Sequence, residues 1–327
     1  QRQQFPSGSG DRAVTGRSSA RTRKVGEEAD RICLRPRDAR GGDVQRLYRA
    51  ARRLQKAPLT SLAALRLTEV VRSGDAVLLM TGAGAPPELP AGETDGPLGI
   101  AVLARALRLG LGARPFVISE ERNVGPLRAV LQVTGAGCIL LPFPCGQEGA
   151  GYRLVDDLRP AAVISVEKLG PNPKGVIHDM RGRNVSASHA SVRGLFDGAR
   201  ERGILTAAVG DRGNEVGFGL LIGPEIRSRL RTARCRCPCR GTIGCDIRAD
   251  VLVVSSISNW GAYGVVACLQ SIVGRRLLHT SQEEATMLDA AVRAGARDGV
   301  THASTLTVDG ADLAVQQAVV TLLGAVK

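Results

Sequence analysis

Residues 204–209, Ile-Leu-Thr-Ala-Ala-Val, run straight into Gly210-Asp211-Arg212-Gly213-Asn214-Glu215-Val216-Gly217-Phe218-Gly219. The largely apolar run reads as a strand buried on both faces, the kind found in parallel sheets. Four glycines then fall within ten residues. Glycine lets backbone approach a ligand closely and take a positive φ. Asp211, Asn214 and Glu215 supply the polar groups that such a ligand would meet. An ordinary strand-to-helix turn has the same composition, so this stretch speaks to fold before it speaks to function.

Working outward, similar apolar runs recur at residues 76–80, 115–119, 138–141, 161–166 and 251–254. Helical patterns lie between most of them, at 99–111, 124–133, 186–202 and 215–232. Others follow at 259–273, 282–294 and 312–326, and two precede the first strand, at 43–55 and 59–72. Alternation of this kind implies an α/β fold: a mostly parallel sheet with helices on both faces, Rossmann-like and three-layered, behind a short helical N-terminal lead-in. The aperiodic Gly, Ser, Arg and Gln of residues 1–30 predict a disordered basic tail or targeting segment. Residues 31–327 are expected to form a single domain.

The net charge of +13 invites a nucleic-acid reading, but residues 1–56 hold 15 Lys+Arg against 6 Asp+Glu, so the rest of the chain is nearly balanced. Aromatic content of 3% offers little surface for stacking bases. An electrostatic partner is therefore expected at most for the tail, and nucleic acid is not expected as the partner of the body. No apolar run reaches the roughly eighteen residues of a membrane span, so no membrane partner is expected either. Residues 1–24 are rich in Arg and Ser with one acid, Asp11, a composition that suits an organelle transit peptide and a disordered tail equally.

In open α/β sheets, ligands bind beyond the carboxyl ends of the strands. After the first strand come Thr81 and Gly82, then Glu93-Thr94-Asp95-Gly96-Pro97 at a helix start. Glu167 closes another strand, Asp211, Asn214 and Glu215 follow a third, and Ser258-Asn259-Trp260-Gly261 follows a fourth. Each has a bland reading. Thr94 or Asp95 can cap a helix with Pro97 in its first turn; Glu167 can be a solvated strand end; Ser258 can be a cap and Trp260 a packed indole. The loop at 170–182 carries Lys174, His178 and Arg181, either as a solvated loop or as a cationic clamp whose Arg181 holds a carboxylate. Convergence of four polar strand ends on one sheet edge favours a site.

Other motifs carry less. Gly82-Ala83-Gly84 opens like a dinucleotide-binding turn, but Pro87 replaces the third glycine and no helix follows. No phosphate-binding GxxxxGK[ST] loop is present. His178, His189, His279 and His302 show no ligand spacing, and His189 is expected on a helix surface. Cys235, Cys237, Cys239 and Cys245 form C-x-C-x-C-x5-C in a basic loop. Thiolates so crowded can bind zinc, although the spacing matches none of the usual CxxC pairs. The remaining cysteines sit in apolar surroundings, which predicts reduced thiols and an intracellular setting.

From about residue 74 onward the chain resembles the D-glutamate cyclase family, in its C-terminal cyclase-like domain. The resemblance rests on Glu93-Thr94-Asp95-Gly96-Pro97, Ser165-Val166-Glu167, Met180-Arg181-Gly182-Arg183, Gly213-Asn214-Glu215-Val216-Gly217 and Ser258-Asn259-Trp260-Gly261. Asp298-Gly299-Val300-Thr301 and Val308-Asp309-Gly310 add to it. Arg212 departs from the pattern, which usually has glycine there, as do His302-Ala303, and the CRCPC segment looks private to this chain.

The resemblance implies a lyase that closes the α-amine of D-glutamate onto its γ-carboxyl, releasing 5-oxo-D-proline and water, in the cytoplasm or mitochondrial matrix. It implies an amino acid as the small-molecule partner and no cofactor. Proton transfer would fall to Asp211 and Glu215, with Glu93 and Asp95 alongside. Asn214 and Asn259 would donate to the oxyanion, and Arg181 would hold the α-carboxylate. Thr81, Gly82, Glu167, Gly213, Ser258, Trp260 and Asp309 complete the expected substrate site. Two alternatives stay open. Asp95, Glu167, Asp211 and Glu215 could instead hold Mg2+ or Mn2+ in an enzyme acting on another amino acid or carboxylate, or the chain could be a non-catalytic amino-acid-binding module.

Overall fold

A computed structural model describes residues 11–36, 42–147, 149–221 and 235–327. Three helices come first: α1 (Asp11–Cys33), α2 (Gly42–Gln55) and α3 (Leu59–Val70). Then follow β1 (Ala76–Gly82), α4 (Pro97–Leu111), β2 (Arg114–Ser119), α5 (Val124–Thr134) and β3 (Ile139–Pro142). The second half holds α6 (Ala150–Leu158), β4 (Ala162–Lys168), α7 (Arg193–Glu201), β5 (Leu205–Gly210) and β6 (Val251–Val254). It closes with α8 (Ser258–Val273), α9 (Ser281–Arg293), a short hairpin of β7 (Thr307–Val308) and β8 (Ala311–Asp312), and α10 (Leu313–Gly324).

Six strands pair in parallel in the order β3-β2-β1-β4-β5-β6. Every residue of β1, β4, β5 and β6 is buried, as strands covered on both faces must be. The strand order reverses between β1 and β4. Right-handed crossovers running in opposite directions from that point put α4 and α7 on opposite faces. Helix α8 packs on α4, and α6 packs on α7, which completes the three layers. The reversal also pulls the segments after β1 and β4 apart, and the crevice it opens is where such sheets bind ligands.

Three expectations need correction. Residues 11–30 are not a disordered tail. They belong to α1, whose Val25, Ala29, Ile32 and Cys33 form a helical stripe buried in the core against α8. Buried Asp30 further ties the helix down, accepting from Leu59 N (2.7 Å) and Thr60 N (3.0 Å) at the start of α3. Polar composition concealed the stripe; residues 1–10 lie outside the described residues. The helix expected over 186–202 starts only at Arg193, after a 3-10 turn at Ser186–Ser188. The helix expected over 215–232 is absent from its first residues, which form a loop and a 3-10 turn, Gly219–Leu221, while residues 222–232 lie outside the described residues.

Candidate active site

Two helix N-termini meet at the crevice and cap one another. Asp95, in the loop before α4, accepts at its Oδ2 from Ser258 N and at its Oδ1 from Asn259 N, both at 2.8 Å, at the start of α8. Asn259 Oδ1 in return accepts from Gly96 N (2.9 Å) and Gly99 N (2.7 Å) of α4, and its amide donates to Thr94 O. These exchanges satisfy donors that helix starts otherwise leave orphaned. Gly96 takes φ +99°, and a Cβ there would stand 2.2 Å from Thr81 Oγ1, so glycine is needed for the approach. Trp260 is fully buried, with its indole N–H on Gln316 Oε1, and the packed-indole reading holds for it.

Over this frame lies a cleft of about 430 Å³, lined by Glu93, Glu167, Arg181, Arg212, Asn214 and Asp309 among others. A larger hollow of about 790 Å³ near the ends of α8 and α10 contains no acid and lies away from the strand ends. Chemistry and the sheet reversal both select the smaller one. Glu167, His302 and Asp309 line it in the left-handed backbone region, at φ +47°, +61° and +53°. Non-glycine residues rarely adopt this region, and such strain concentrates at functional sites.

The acids of the expected site divide into two groups. Glu93, Glu167 and Asp309 face the cleft, whereas Asp95, Asp211 and Glu215 are buried and are not among its lining residues. Glu215 accepts from Gly213 N (2.7 Å) and Arg212 N (3.1 Å), closing the turn after β5. Asp211 stands 3.4 Å from Arg212 Nε, and Asp309 3.0 Å from Arg212 Nη2. Burial pushes Glu93, Asp95, Glu167 and Glu215 well above the usual carboxylate range, and neighbouring carboxylates push them further. Burial opposes the charge of Arg212, but Asp211 and Asp309 outweigh it and hold the guanidinium pKa above its ordinary value.

The remaining candidates fall into place around these. Ser258 Oγ donates to Glu167 Oε2, fixing one carboxyl oxygen. Asn214 donates its amide to His178 O at 3.0 Å, while its Oδ1 is buried with no hydrogen-bond partner among the described residues. Thr81 and Gly82 end β1 beneath the cleft, Thr81 Oγ1 likewise without a partner among the described residues. Arg181 is mostly exposed at the rim, 3.9 Å from Glu88. For a divalent cation, oxygens of Glu167, Asp211 and Glu215 lie within 4.8 Å of one another. Asp95, whose oxygens are held by three backbone N–H groups, is not part of that cluster. Cys235, Cys237 and Cys239 gather at His178, and Cys245 lies apart, its sulfur accepting from Ile247 N.

One network escaped the reading of strand ends. Glu120, directly after β2, forms a buried ion pair with Lys168 at 2.6 Å, both side chains 2% exposed. It also accepts from Ala190 N (2.8 Å) and Asn123 Nδ2 (3.1 Å). His189 is not on a helix surface: it is buried, with Nδ1 3.5 Å from Glu120, and burial depresses its pKa to about 4. Next to this pair, Arg122 donates to Gly84 O, Leu89 O and Ser188 O, tying down the loop after β1. The signal was present, since Glu120 follows an apolar run as Glu167 does.

Residues 37–324 match the family model described as D-glutamate cyclase-like, C-terminal, and the chain belongs to that family. The human protein "D-glutamate cyclase, mitochondrial" is 26% identical over 197 residues. That match covers 56% of this chain and 30% of the human protein. Among the described residues, no helix is long and apolar enough to cross a membrane.

Proposed function

We propose that this chain is a lyase that cyclises D-glutamate to 5-oxo-D-proline and water. Membership in the D-glutamate cyclase-like family supports the reaction class. The observation that carries the reading is that Glu93 and Glu167, both with raised pKa values, face one cleft together with Arg181 and Arg212. The reaction closes the substrate's ammonium nitrogen onto its γ-carboxyl carbon and expels one carboxyl oxygen. The two protons that nitrogen loses leave in the water molecule, so no net proton is consumed. A pair of carboxyls can carry both, one receiving from the amine while the other protonates the departing oxygen.

In this reading Glu93 and Glu167 take the proton-transfer role expected of Asp211 and Glu215. Burial raises the pKa of Glu167, and the latter two, buried behind the cleft, raise it further, which favours the protonated form that a proton donor needs. Arg181 holds the α-carboxylate. The Oδ1 of Asn214, which has no partner among the described residues, accepts from the substrate's amine, and the amide engaged with His178 O makes an oxyanion role for Asn214 the weaker assignment. Asn259, which caps α4, acts by positioning. The expected setting is the mitochondrial matrix or cytoplasm, in keeping with eight free cysteines.

The clustering of Glu167, Asp211 and Glu215 oxygens supports a second reading, in which these three residues would hold a divalent cation that would supply Lewis-acid activation of the γ-carboxyl. One experiment separates the two. The purified chain is incubated with D-glutamate and with L-glutamate, with and without EDTA, and 5-oxoproline is detected on a chiral column. D-specific product that survives EDTA is the expected result. Product lost with EDTA and restored by Mg2+ or Mn2+ selects the cation, and no product from either enantiomer refutes the reaction.

A further inference from the structure

Four potential metal ligands that the cleft chemistry does not use converge behind its rim. Cys235 Sγ lies 3.3 Å from both Cys237 Sγ and Cys239 Sγ. His178 Nε2 lies 3.2 Å from Cys237 Sγ and 3.6 Å from Cys239 Sγ. All four ligand atoms fall within 4.8 Å of one another. The ligands of a tetrahedral zinc ion, with Zn–S of about 2.3 Å and Zn–N of about 2.0–2.1 Å, stand roughly 3.4–3.8 Å apart. The sulfur–sulfur separations are far beyond the roughly 2.05 Å of a disulfide bond. We propose that His178, Cys235, Cys237 and Cys239 form a structural zinc site.

The surroundings are those of a metal-thiolate centre. Gly241 N donates to Cys239 Sγ at 3.3 Å and Asn172 Nδ2 at 3.7 Å, N–H···S contacts of the kind that orient and stabilise bound thiolates. Lys174 Nζ donates to Cys239 O at 2.6 Å, which brings a cation close to the centre. Three thiolates with one Zn2+ carry a net single negative charge, which Lys174 offsets. Binding displaces the protons of the three thiols, so Zn2+ and three S–H groups give three Zn–S bonds and three released protons. Thiolate and imidazole donors in a tetrahedral set select zinc over magnesium or calcium.

The site joins two segments that the sequence holds far apart. His178 belongs to the loop that continues through Asp179, Met180 and Arg181 along the cleft, and its carbonyl accepts from the cleft residue Asn214. The cysteines belong to the segment that leads into β6. Zinc would therefore brace the wall that holds Asn214 and Arg181, independently of which reaction the cleft carries out.

The test is elemental analysis of the chain purified from zinc-supplemented cells without chelator. One zinc per chain is expected in the wild type and in the Cys145→Ser control, whose thiol is exposed outside the site, and none in Cys237→Ser. Should Cys237→Ser fail to fold, the wild type still decides. Modifying its thiols with a mercurial should release the metal. Replacing zinc by Co2+ should give the intense visible bands of a tetrahedral ion and a near-ultraviolet thiolate-to-cobalt charge-transfer band. Absence of zinc from the wild type together with failure of the reduced chain to bind Zn2+ or Co2+ would overturn the proposal. So would a native disulfide between any two of the three cysteines, or undiminished zinc in a folded Cys237→Ser.

Discussion

Replacing Lys168 by methionine tests whether the buried ion pair beneath the cleft is held by charge. Lys168 and Glu120 are each 2% exposed and their charged atoms lie 2.6 Å apart. Severing a buried pair by removing one partner costs about 3–5 kcal/mol, because the other charge is left buried. In the variant Glu120 keeps the Ala190 N–H and Asn123 amide, each worth roughly 1.5–3 kcal/mol to a charged acceptor. The loss should therefore lie near the lower end, at about 3 kcal/mol, lowering the melting temperature by on the order of 10 °C.

The pH dependence has a definite sign. Desolvation raises the Glu120 pKa, but the charge of Lys168 and the His189 contact overcome it and hold the carboxyl well below the usual range. A depressed carboxyl stabilises the fold above its unfolded pKa of about 4.3, and that contribution is lost as pH falls through the folded value. In Lys168→Met the carboxyl rises and regains its proton at milder acidity. The deficit should thus be largest near neutrality and shrink on acidification. Urea unfolding of both proteins across this range measures it. A neutral-pH loss below about 1 kcal/mol, the scale of a surface pair, would refute the reasoning, and so would a deficit that grows toward acid. The double variant Lys168→Met/Glu120→Gln should recover part of the loss, because the uncompensated buried charge is gone while a side-chain oxygen remains to accept from Ala190 N.

Three further outcomes follow from the cleft. Glu93→Gln and Glu167→Gln should each reduce kcat by ~10²–10⁴-fold without lowering the melting temperature near neutrality. A carboxyl whose folded pKa is raised favours the fold at low pH and loses that contribution as pH rises, so the two variants should melt with less pH dependence than the wild type. Gly299→Ala would put a Cβ 2.4 Å from Glu93 Oε2 and 2.9 Å from Asp309 Oδ1, so kcat/KM should fall about tenfold or more, as small misplacements of reacting groups do, with the melting temperature nearly unchanged. Asn259→Ala leaves the Gly99 N–H without its acceptor and the Gly96 N–H with Asp95 Oδ1 alone, and chemical denaturation should show a loss of roughly 1–3 kcal/mol.

Local sequence determined the sheet and the edge that carries the site. Runs such as 204–209 are apolar but for Thr206 because strands covered by helices on both sides have no solvent-facing side. Parallel pairing then brings the residues that follow them, Glu93, Glu167, Asp211 and Asn259, to one end of the sheet. The N-terminal helix was less legible, since its buried stripe of Val25, Ala29, Ile32 and Cys33 sits within a strongly polar segment. Tertiary structure alone decided which polar residues are available for chemistry. Asp95 and Glu167 look alike in the sequence, yet one is held by three backbone N–H groups at helix starts and the other faces the cleft. Only folding brought Lys168 to Glu120, or His178 to the three cysteines. Such pairings depend on distance in space and on the partners left over once helix starts and turns are satisfied, and residue order encodes neither.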